Sequence, residues 1–467
     1  MTEKTRLPSL RARQTLGRAQ REGTPRADLA TVVGRPSGYD PVARLIQQGE
    51  SRVASLLPIR YQRMLTSPLA FYRGCALLMA DDLARGPSTS LEVQICGDAH
   101  LSNFGVFSSP ERRLVFDVND FDETDQGPFE WDVKRLVASL VVASHYLGHD
   151  AHSQETIALD CAREYRASMQ RFAAETRLNV WYAALDVDAV MTDLKGFLPD
   201  HAMQKVDNVI GLAKGKGTAK SFERMVTYTD AGPRITPQPP LITPLSESDA
   251  DSLSARQLLD QVLEGYGETL SGDRRVLLAQ FVPVDTAHKV VGVGSVGTQC
   301  YAMLLVGRDA DDPFFLQIKE AQESVVSLAR GMSEAPSGER VVSGQRLMQA
   351  TPDPFLGWHT MRVGDRERSF YVRQLYDNKA AVTIEDLNES LLAAYARACA
   401  WTLARAHARS GRAGEISGYM GKNTSFETSM ATFALAYRDR NLDDYQALQR
   451  AAREGRIVVA PGTSSHQ

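Results

Sequence analysis

The sequence has no apolar run that approaches the roughly 18 consecutive residues a membrane span needs. Its Arg-rich N-terminus has no apolar stretch of the kind that opens a secretory signal. Neither charge is in large excess: 53 Lys and Arg stand against 57 Asp and Glu, a formal net charge of −4. That balance excludes a nucleic-acid binder working through bulk positive charge. The five cysteines, Cys75, Cys96, Cys161, Cys300 and Cys399, lie far apart and none forms a CxxC pair. They read as reduced thiols, not as a disulfide frame or a zinc site. These absences predict a cytoplasmic chain with no membrane partner and no nucleic-acid partner. No internal repeat is present. With 43% hydrophobic and 24% charged residues, extensive disorder is excluded as well. A length of 467 residues suggests two to four structural units, at about 100–200 residues per unit.

The charge is unevenly spread. Residues 1–35 hold eight Lys and Arg against three acids, a local +5 that leaves −9 for the rest. This stretch reads as a solvated, partly disordered tail, with a basic arm for nucleic acid or membrane as the alternative. Residues 460–467 also read as a tail. Within residues 36–150, helical patterns run from Tyr39 to about Arg85, then strands at Leu91–Cys96 and Leu114–Asn119. Val133, Leu136, Val137, Leu140 and Val141 recur at helical spacing, which predicts a helix over Asp132–Gly148. Residues 151–275 read as a mostly helical insertion, with a Pro-rich loop over Thr229–Ser248. Residues 276–380 are β-rich, with runs at Leu278–Val284, Lys289–Val293, Gln299–Val306, Phe314–Ile318 and Phe370–Leu375. Residues 381–459 return to helix. Thr383 and Asp386 resemble a capping box before a helix to about Ser410, and Ser425–Gly455 adds more.

The densest chemistry lies early. Between Asp117 and Asp132 there are seven acids (Asp117, Asp120, Asp122, Glu123, Asp125, Glu130 and Asp132) and no base. A solvated acidic loop is the ordinary explanation of such a run. Here the acids alternate with Phe116, Val118 and Phe121, which predicts burial, and buried carboxylates need partners. A hard divalent cation, magnesium or calcium, would relieve their repulsion.

Upstream, Asp98 and Asn103 form D-x4-N, and Asp120 follows 17 residues later in Asp120-Phe121-Asp122. Gly97-Asp98-Ala99-His100 with Asn103, then Asp120-Phe121-Asp122, resembles the catalytic loop and metal triplet of the protein-kinase-like superfamily, in its aminoglycoside-phosphotransferase branch. Gly127-Pro128 through Asp132 is similar to the segment that closes such sites, with Asp132 as its structural acid. Cys96 departs from the pattern, since the family has a His there that mainly orients backbone. The triplet ends in Asp122 where other branches have Gly. The resemblance implies that Asp98 orients or deprotonates an acceptor hydroxyl, that Asn103 and Asp120 hold magnesium, and that Asp122 supports a second ion. His100 is either a site residue or one that packs and hydrogen-bonds the loop.

The nucleotide-binding parts are missing where that resemblance expects them. Residues 1–97 hold a single lysine, Lys4, and no glycine-rich turn between strands. They occur downstream instead. Gly292-Val293-Gly294-Ser295-Val296-Gly297 is a GxGxxG between two strand patterns, and Phe314-Phe315-Leu316-Gln317-Ile318-Lys319 follows. A dinucleotide fingerprint would continue into a helix, whereas strand–turn–strand–lysine is the kinase order. In this reading Gly292, Gly294, Ser295 and Gly297 cover phosphates and Lys319 pairs with them. Glu339 is the first candidate to anchor Lys319, with Glu323 and Glu334 as competitors. Phe370–Leu375 would lead to a hinge near residues 371–376, where the backbone at Gln374 meets adenine. Leu403–Ala408 resembles the helix that precedes the catalytic loop, although His407 alone reads as a packing residue.

The expected fold is therefore α+β: a two-lobe kinase-like fold, with a mostly helical catalytic lobe and a small antiparallel nucleotide lobe, circularly permuted. Further motifs cover residues 36–460: Arg60–Met64, Ser67–Gly74, Glu130–Arg135 and Tyr371–Leu375. They resemble a large bacterial family, domain of unknown function 2252. Arg60, Arg63 and Arg73 either contact phosphates or serve as ion-pair partners. Lys205, Lys214, Lys216 and Lys220 either line an anionic acceptor site or form a solvated face. The resemblance implies an ATP- and magnesium-dependent phosphotransferase acting on a hydroxyl of an unknown acceptor. Three alternatives stand beside it: transfer of AMP on the same fold, a nucleotide-binding pseudoenzyme, and a metal-dependent hydrolase built on Asp98, His100, Asp117 and Asp120.

Overall fold

The computed structural model describes residues 8–187, 211, 225–230, 232–245, 250–290, 292, 296–332, 336–363, 365–375 and 382–461. The fold is mixed α+β with antiparallel sheets. In chain order, helices α1 (Leu10–Gly23), α2 (Pro41–Gly49), α3 (Leu57–Met64), α4 (Pro68–Gly74) and α5 (Ala76–Arg85) lead into short strands. These are β1 (Glu92–Ile95), β2 (Phe104–Ser108), β3 (Leu114–Val118) and β4 (Asp125–Pro128). Helices α6 (Phe129–Tyr146), α7 (Ala151–Ala174) and α8 (Arg177–Tyr182) follow, then β5 (Leu185–Asp186), β6 (Val226–Thr229), β7 (Gly232–Ile235) and β8 (Ile242–Pro244). Next come α9 (Ala250–Tyr266), α10 (Gly272–Leu278), β9 (Val282–Lys289), β10 (Cys300–Val306) and β11 (Pro313–Ala321). Helices α11 (Val325–Arg330) and α12 (Ser337–Met348) precede β12 (Gly357–Val363) and β13 (Arg366–Gln374). The described chain closes with α13 (Glu389–Arg409), α14 (Ala413–Met420) and α15 (Ser425–Arg453). No described helix is long and apolar enough to cross a membrane.

The helical body is built round α6. Its residues are buried without interruption from Phe129 to Ser144, as expected of a helix enclosed on all faces. It packs against α7, α13 and α15, and Gly148 at φ +79° follows its C-terminus. The second centre is a six-stranded antiparallel sheet in the order β12-β13-β11-β10-β9-β8. Strand alternation splits its residues between two environments. Leu316, Ile318, Phe370 and Val372 enter a core shared with α9. Gln317 and Lys319, paired across the ladder with Arg373 and Tyr371, fall on the other face. That face meets the acidic segment at the end of β3. Contacts between halves of the chain hold it there: Gln349 Nε2 donates to Val118 O (2.7 Å) and Ser324 Oγ to Glu123 O (2.7 Å).

Several expectations need correction. Within the stretch expected as a solvated, partly disordered tail, Leu10–Gly23 form α1, which lies on α14. Its basic residues find backbone acceptors: Arg21 donates to Tyr419 O (2.8 Å) and Gly418 O (2.6 Å), and Arg26 to Met420 O (2.6 Å). These are C-terminal carbonyls of α14, where positive charge is favourable. The Pro-rich loop over 229–248 contains β7 and the edge strand β8. An edge position suits Pro244, which has no N–H to donate. Residues 276–278 of the expected β region end α10, and β12 went unread. Thr383 precedes only a short 3-10 turn; α13 is capped instead by Asn388, whose Oδ1 accepts from Leu391 N (3.0 Å).

The α1–α14 contact depends on missing side chains. A Cβ at Gly17 would lie 1.8 Å from Glu415 O, whereas one at Gly23 meets nothing within 4 Å. Alanine favours a helix interior by about 1 kcal/mol over glycine, but overpacking costs about 1–3 kcal/mol. We expect Gly17→Ala to lower the melting temperature and expose α1 to protease, with Gly23→Ala as the control that does neither. Equal behaviour of the two variants in scanning calorimetry would show that the contact is not formed.

Candidate functional site

The loop carrying Asp98 is fixed from behind. Gly97 has φ +75°, and a Cβ there would lie 2.1 Å from Glu123 O, so only glycine fits. Asp132, in the first turn of α6, accepts from Cys96 N (2.6 Å) and Gly97 N (2.9 Å). Its Oδ2 also meets His407 Nε2 at 3.1 Å, and His407 Nδ1 meets Tyr165 Oη at 2.7 Å. His407 is thus a buried positioning residue. The strand leading into the loop is tied to the end of α13, because Gln94 N donates to Ser410 Oγ (3.1 Å).

Asp98 reaches a cavity of about 610 Å³. Its Oδ1 accepts from Arg135 Nε (2.8 Å), and its Oδ2 lies 3.7 Å from His100 Nε2. Burial raises the Asp98 carboxyl above its ordinary value, with the Arg135 cation pulling the other way. Burial, reinforced by Arg135 and Arg73, holds His100 well below its ordinary value, so the imidazole is neutral. Ser102 N donates to His100 Nδ1 (3.2 Å), which puts the imidazole proton on Nε2, facing Asp98. Asn103 donates its amide nitrogen to Asp98 O (2.8 Å), which leaves its oxygen end as the cavity-side donor atom.

The acidic run is mostly spoken for. Asp117 forms a buried ion pair with Arg405 and accepts from Ala350 N (2.8 Å). Glu130 accepts from Thr89 N (2.6 Å) and Thr89 Oγ1 (2.8 Å), Glu123 from Val325 N (2.7 Å), and Asp125 from Ser327 Oγ. Asp122 pairs with Lys319 and accepts from Tyr371 Oη (2.7 Å). Burial opposes that charge, but Lys319 and Tyr371 outweigh it and hold Asp122 at about 2. Lys319, although buried, is raised by Asp122 and Asp120 and keeps its charge. Asp120 also lines the cavity. Burial and the Asp122 charge raise its carboxyl above the ordinary value.

The cavity brings together Asp98, His100, Asn103, Asp120, Asp122, Gly292, Lys319 and Gln374, all expected at one site. Gly297, the last glycine of the motif, has φ +93°, and its carbonyl accepts from Val53 N (2.7 Å). Gly294 and Ser295 lie outside the described residues, as do Glu334 and Lys205, Lys214, Lys216 and Lys220. Glu339 is not brought to Lys319: it does not line the cavity and has no hydrogen bond or ion pair among the described residues. The carboxylate bound to Lys319 is Asp122, from the other half of the chain. The next residue of α12, Arg340, is the one that reaches this region and donates to Asp122 O (3.0 Å) and Gln322 O (2.8 Å). Sequence reasoning missed Arg135, Lys289, Arg373 and Arg52 as site residues. Arg135 alone carried a signal, at i+3 from Asp132 on a helix whose first turn holds the loop.

Among the described residues no group of three or more His, Cys, Asp or Glu is arranged to hold a metal alone. Asn103 and Asp120 nevertheless supply hard oxygen donors on one side of the cavity. This fits magnesium, which takes one or two protein oxygens and completes its shell with phosphates and water. Lys319, Lys289 and Arg373 supply cations close by.

The chain belongs to a family described as an uncharacterized protein conserved in bacteria (DUF2252), whose profile matches residues 52–451. Searches of curated proteins and of solved structures find no significant match.

Removing Lys319 leaves Asp122 buried without its cation, which costs toward the lower end of about 3–5 kcal/mol. We expect Lys319→Met and Asp122→Asn each to destabilise the protein and the double variant to be more stable than their sum. Strict additivity in denaturant unfolding would show that the pair is not coupled. A second expectation concerns the end of β13. Asp353 accepts from Gln374 N (2.5 Å) and Phe355 N (2.8 Å), and burial raises it from 3.8 to about 6. The folded state therefore binds this proton more tightly than the unfolded state, and the stability it contributes is lost as pH rises from about 4 to 6. The advantage of wild type over Asp353→Asn should shrink over that window; a difference independent of pH would contradict the shift.

Proposed function

We propose that the protein is an ATP- and magnesium-dependent phosphotransferase of the protein-kinase-like kind, acting on a hydroxyl group, with its two halves in permuted order. One observation carries the reading: Lys319 pairs with Asp122, 197 residues away, in the cavity that also holds Asp98 and Asn103. Phosphoryl transfer needs this collection and little covalent chemistry from the protein. Chain order supports the reading too. In chain order β9, the glycine-rich motif, β10 and the Lys319-bearing β11 are followed by α11 and α12, an order that resembles the kinase arrangement. Helix α13 ends beside β1 although Gln94 and Ser410 are 316 residues apart, as a permuted chain requires.

The residues divide the work. Asp98 uses Oδ1 to hold Arg135 and presents Oδ2 to the acceptor. A carboxylate whose burial raises its proton affinity is the better base, and the Arg135 cation keeps it ionised. His100, neutral, limits where Oδ2 can turn. Asn103 and Asp120 would hold magnesium, which neutralises charge on the phosphates when bound. Lys319 binds phosphate oxygens, and the sheet face bearing Lys289 and Arg373 adds positive charge there. The backbone at Gln374, fixed by Asp353, borders the cavity as a hinge for the base.

A nucleotide-binding protein without turnover is the second reading, and it draws on the bond that occupies Asp98 Oδ1. A hydrolase built on Asp98, His100, Asp117 and Asp120 is disfavoured, because Asp117 is consumed by Arg405 and Ala350.

Thermal stabilisation by millimolar ATP should require magnesium in wild type and shrink strongly in Asp120→Ala, since only a ligand of the folded state shifts unfolding. No shift with either would exclude both nucleotide readings. Asp98→Asn should keep the shift and lose turnover; surviving turnover would remove Asp98 as the base. Mass spectrometry of the products distinguishes phosphate from AMP transfer.

A further inference from the structure

Next to Asp98 the cavity wall carries a cation that the fold does not use. Arg73 is near the end of α4 and lines the cavity. Arg135 seats it there: besides holding Asp98, its Nη2 donates to Tyr72 O (2.7 Å), the carbonyl just before Arg73. Among the described residues the Arg73 guanidinium makes no hydrogen bond and no ion pair, and its Nε is buried without a partner. Asp98 and Glu385 act on it through their fields, but neither forms an ion pair with it. Arg44, by contrast, pairs with Asp81, Arg135 with Asp98 and Lys319 with Asp122, whereas Lys289 on the sheet likewise has no ion pair among the described residues.

An unmet buried donor costs about 1–3 kcal/mol, and such groups call for an explanation. The surroundings sharpen this one. Arg60, fully buried, donates to Gly74 O (3.0 Å) and Gln48 Oε1 (2.8 Å) and has no carboxylate partner among the described residues. The cavity edge at Arg73 and Gly74, backed by the buried Arg60, is therefore positive, in the same cavity as the acids Asp98, Asp120 and Asp122. Magnesium and the nucleotide answer the acids and Lys319. They leave Arg73 unanswered.

We propose that Arg73 binds the acceptor: the molecule whose hydroxyl meets Asp98 is a small anion, carrying a carboxylate or phosphate group that Arg73 holds. A guanidinium fork matches both groups. A polycationic acceptor would be repelled here. Arg73 lines the cavity and its Nε is buried, so an anionic group meets the guanidinium by entering the cavity. In the reaction, the bond between the γ-phosphorus and the β–γ bridging oxygen breaks and a bond from the acceptor oxygen to phosphorus forms. The hydroxyl proton passes to Asp98 Oδ2, and ADP leaves. The acceptor role rests on the phosphotransferase reading; the anion site itself does not.

The test titrates the full chain with inorganic phosphate and, separately, acetate, against chloride at equal ionic strength. It is run with and without magnesium and a non-hydrolysable ATP analogue, which blocks the nucleotide phosphate positions. In the presence of the analogue, at least one of the two anions should raise the melting temperature of wild type further. The apparent affinity should fall about tenfold or more in Arg73→Gln, the loss expected for a charge-assisted hydrogen bond, and partly recover in Arg73→Lys. Without added anion, Arg73→Gln should be at least as stable as wild type, whereas an arginine with a structural role would destabilise when removed. The inference is overturned if neither anion stabilises wild type, or if Arg73→Gln responds equally. If the analogue itself fails to bind, the phosphotransferase reading falls. The Arg73-dependent response without nucleotide then still decides whether this is an anion site.

Discussion

The structure depends on neutralising one acidic segment. Residues 117–132 bring seven carboxylates into a buried zone with no base of their own. Left unpaired, charges at that density would unfold the region or bind protons instead. The remedy comes from far along the chain: Lys319 for Asp122, Arg405 for Asp117, and backbone amides of residues 325 and 350 for Glu123 and Asp117. Each bond is also a tie between the sheet or the C-terminal helices and the early helical body. Electrostatic need therefore closes the cavity, and the pairs that close it set its polarity.

Two of these ties serve different ends. The Asp117–Arg405 pair is sealed, with side chains 2% and 1% exposed, and is structural. The Lys319–Asp122 pair faces the cavity, and Asp122 is 23% exposed. In the proposed reaction a nucleotide gives Lys319 phosphate oxygens in place of Asp122, which then becomes available to a second cation. The pairing thus holds both groups in position and prevents two buried charges from standing alone.

Much of the candidate site was legible in sequence because it is local. Asp98, His100 and Asn103 share one loop, Asp120 and Asp122 a second, and β-type alternation placed Lys319 on a strand. Helix α6 was readable from its apolar spacing. What could not be read were partners set by tertiary contact. Glu339 was a reasonable anchor for Lys319 by chain order, but it is Arg340 of α12 that reaches the acidic segment, and the carboxylate comes from Asp122. The basic stretch at the N-terminus looked solvated because its acceptors, the last carbonyls of α14, carry no signature in composition. The Gly17–Glu415 and Gly418–Gln14 approaches that dock α1 are likewise visible only in space.

The central claim is that a nucleotide lies between Lys319 and Asp120 with its terminal phosphate toward Asp98. A structure determined with magnesium and a non-hydrolysable ATP analogue tests it most directly. The account predicts a metal on the oxygens of Asn103 and Asp120, phosphates against Lys319 and the glycine turn at Gly292–Gly297, and the base near Gln374. A nucleotide bound elsewhere, or a metal held by Asp98 and His100 with Lys319 still on Asp122, would contradict it.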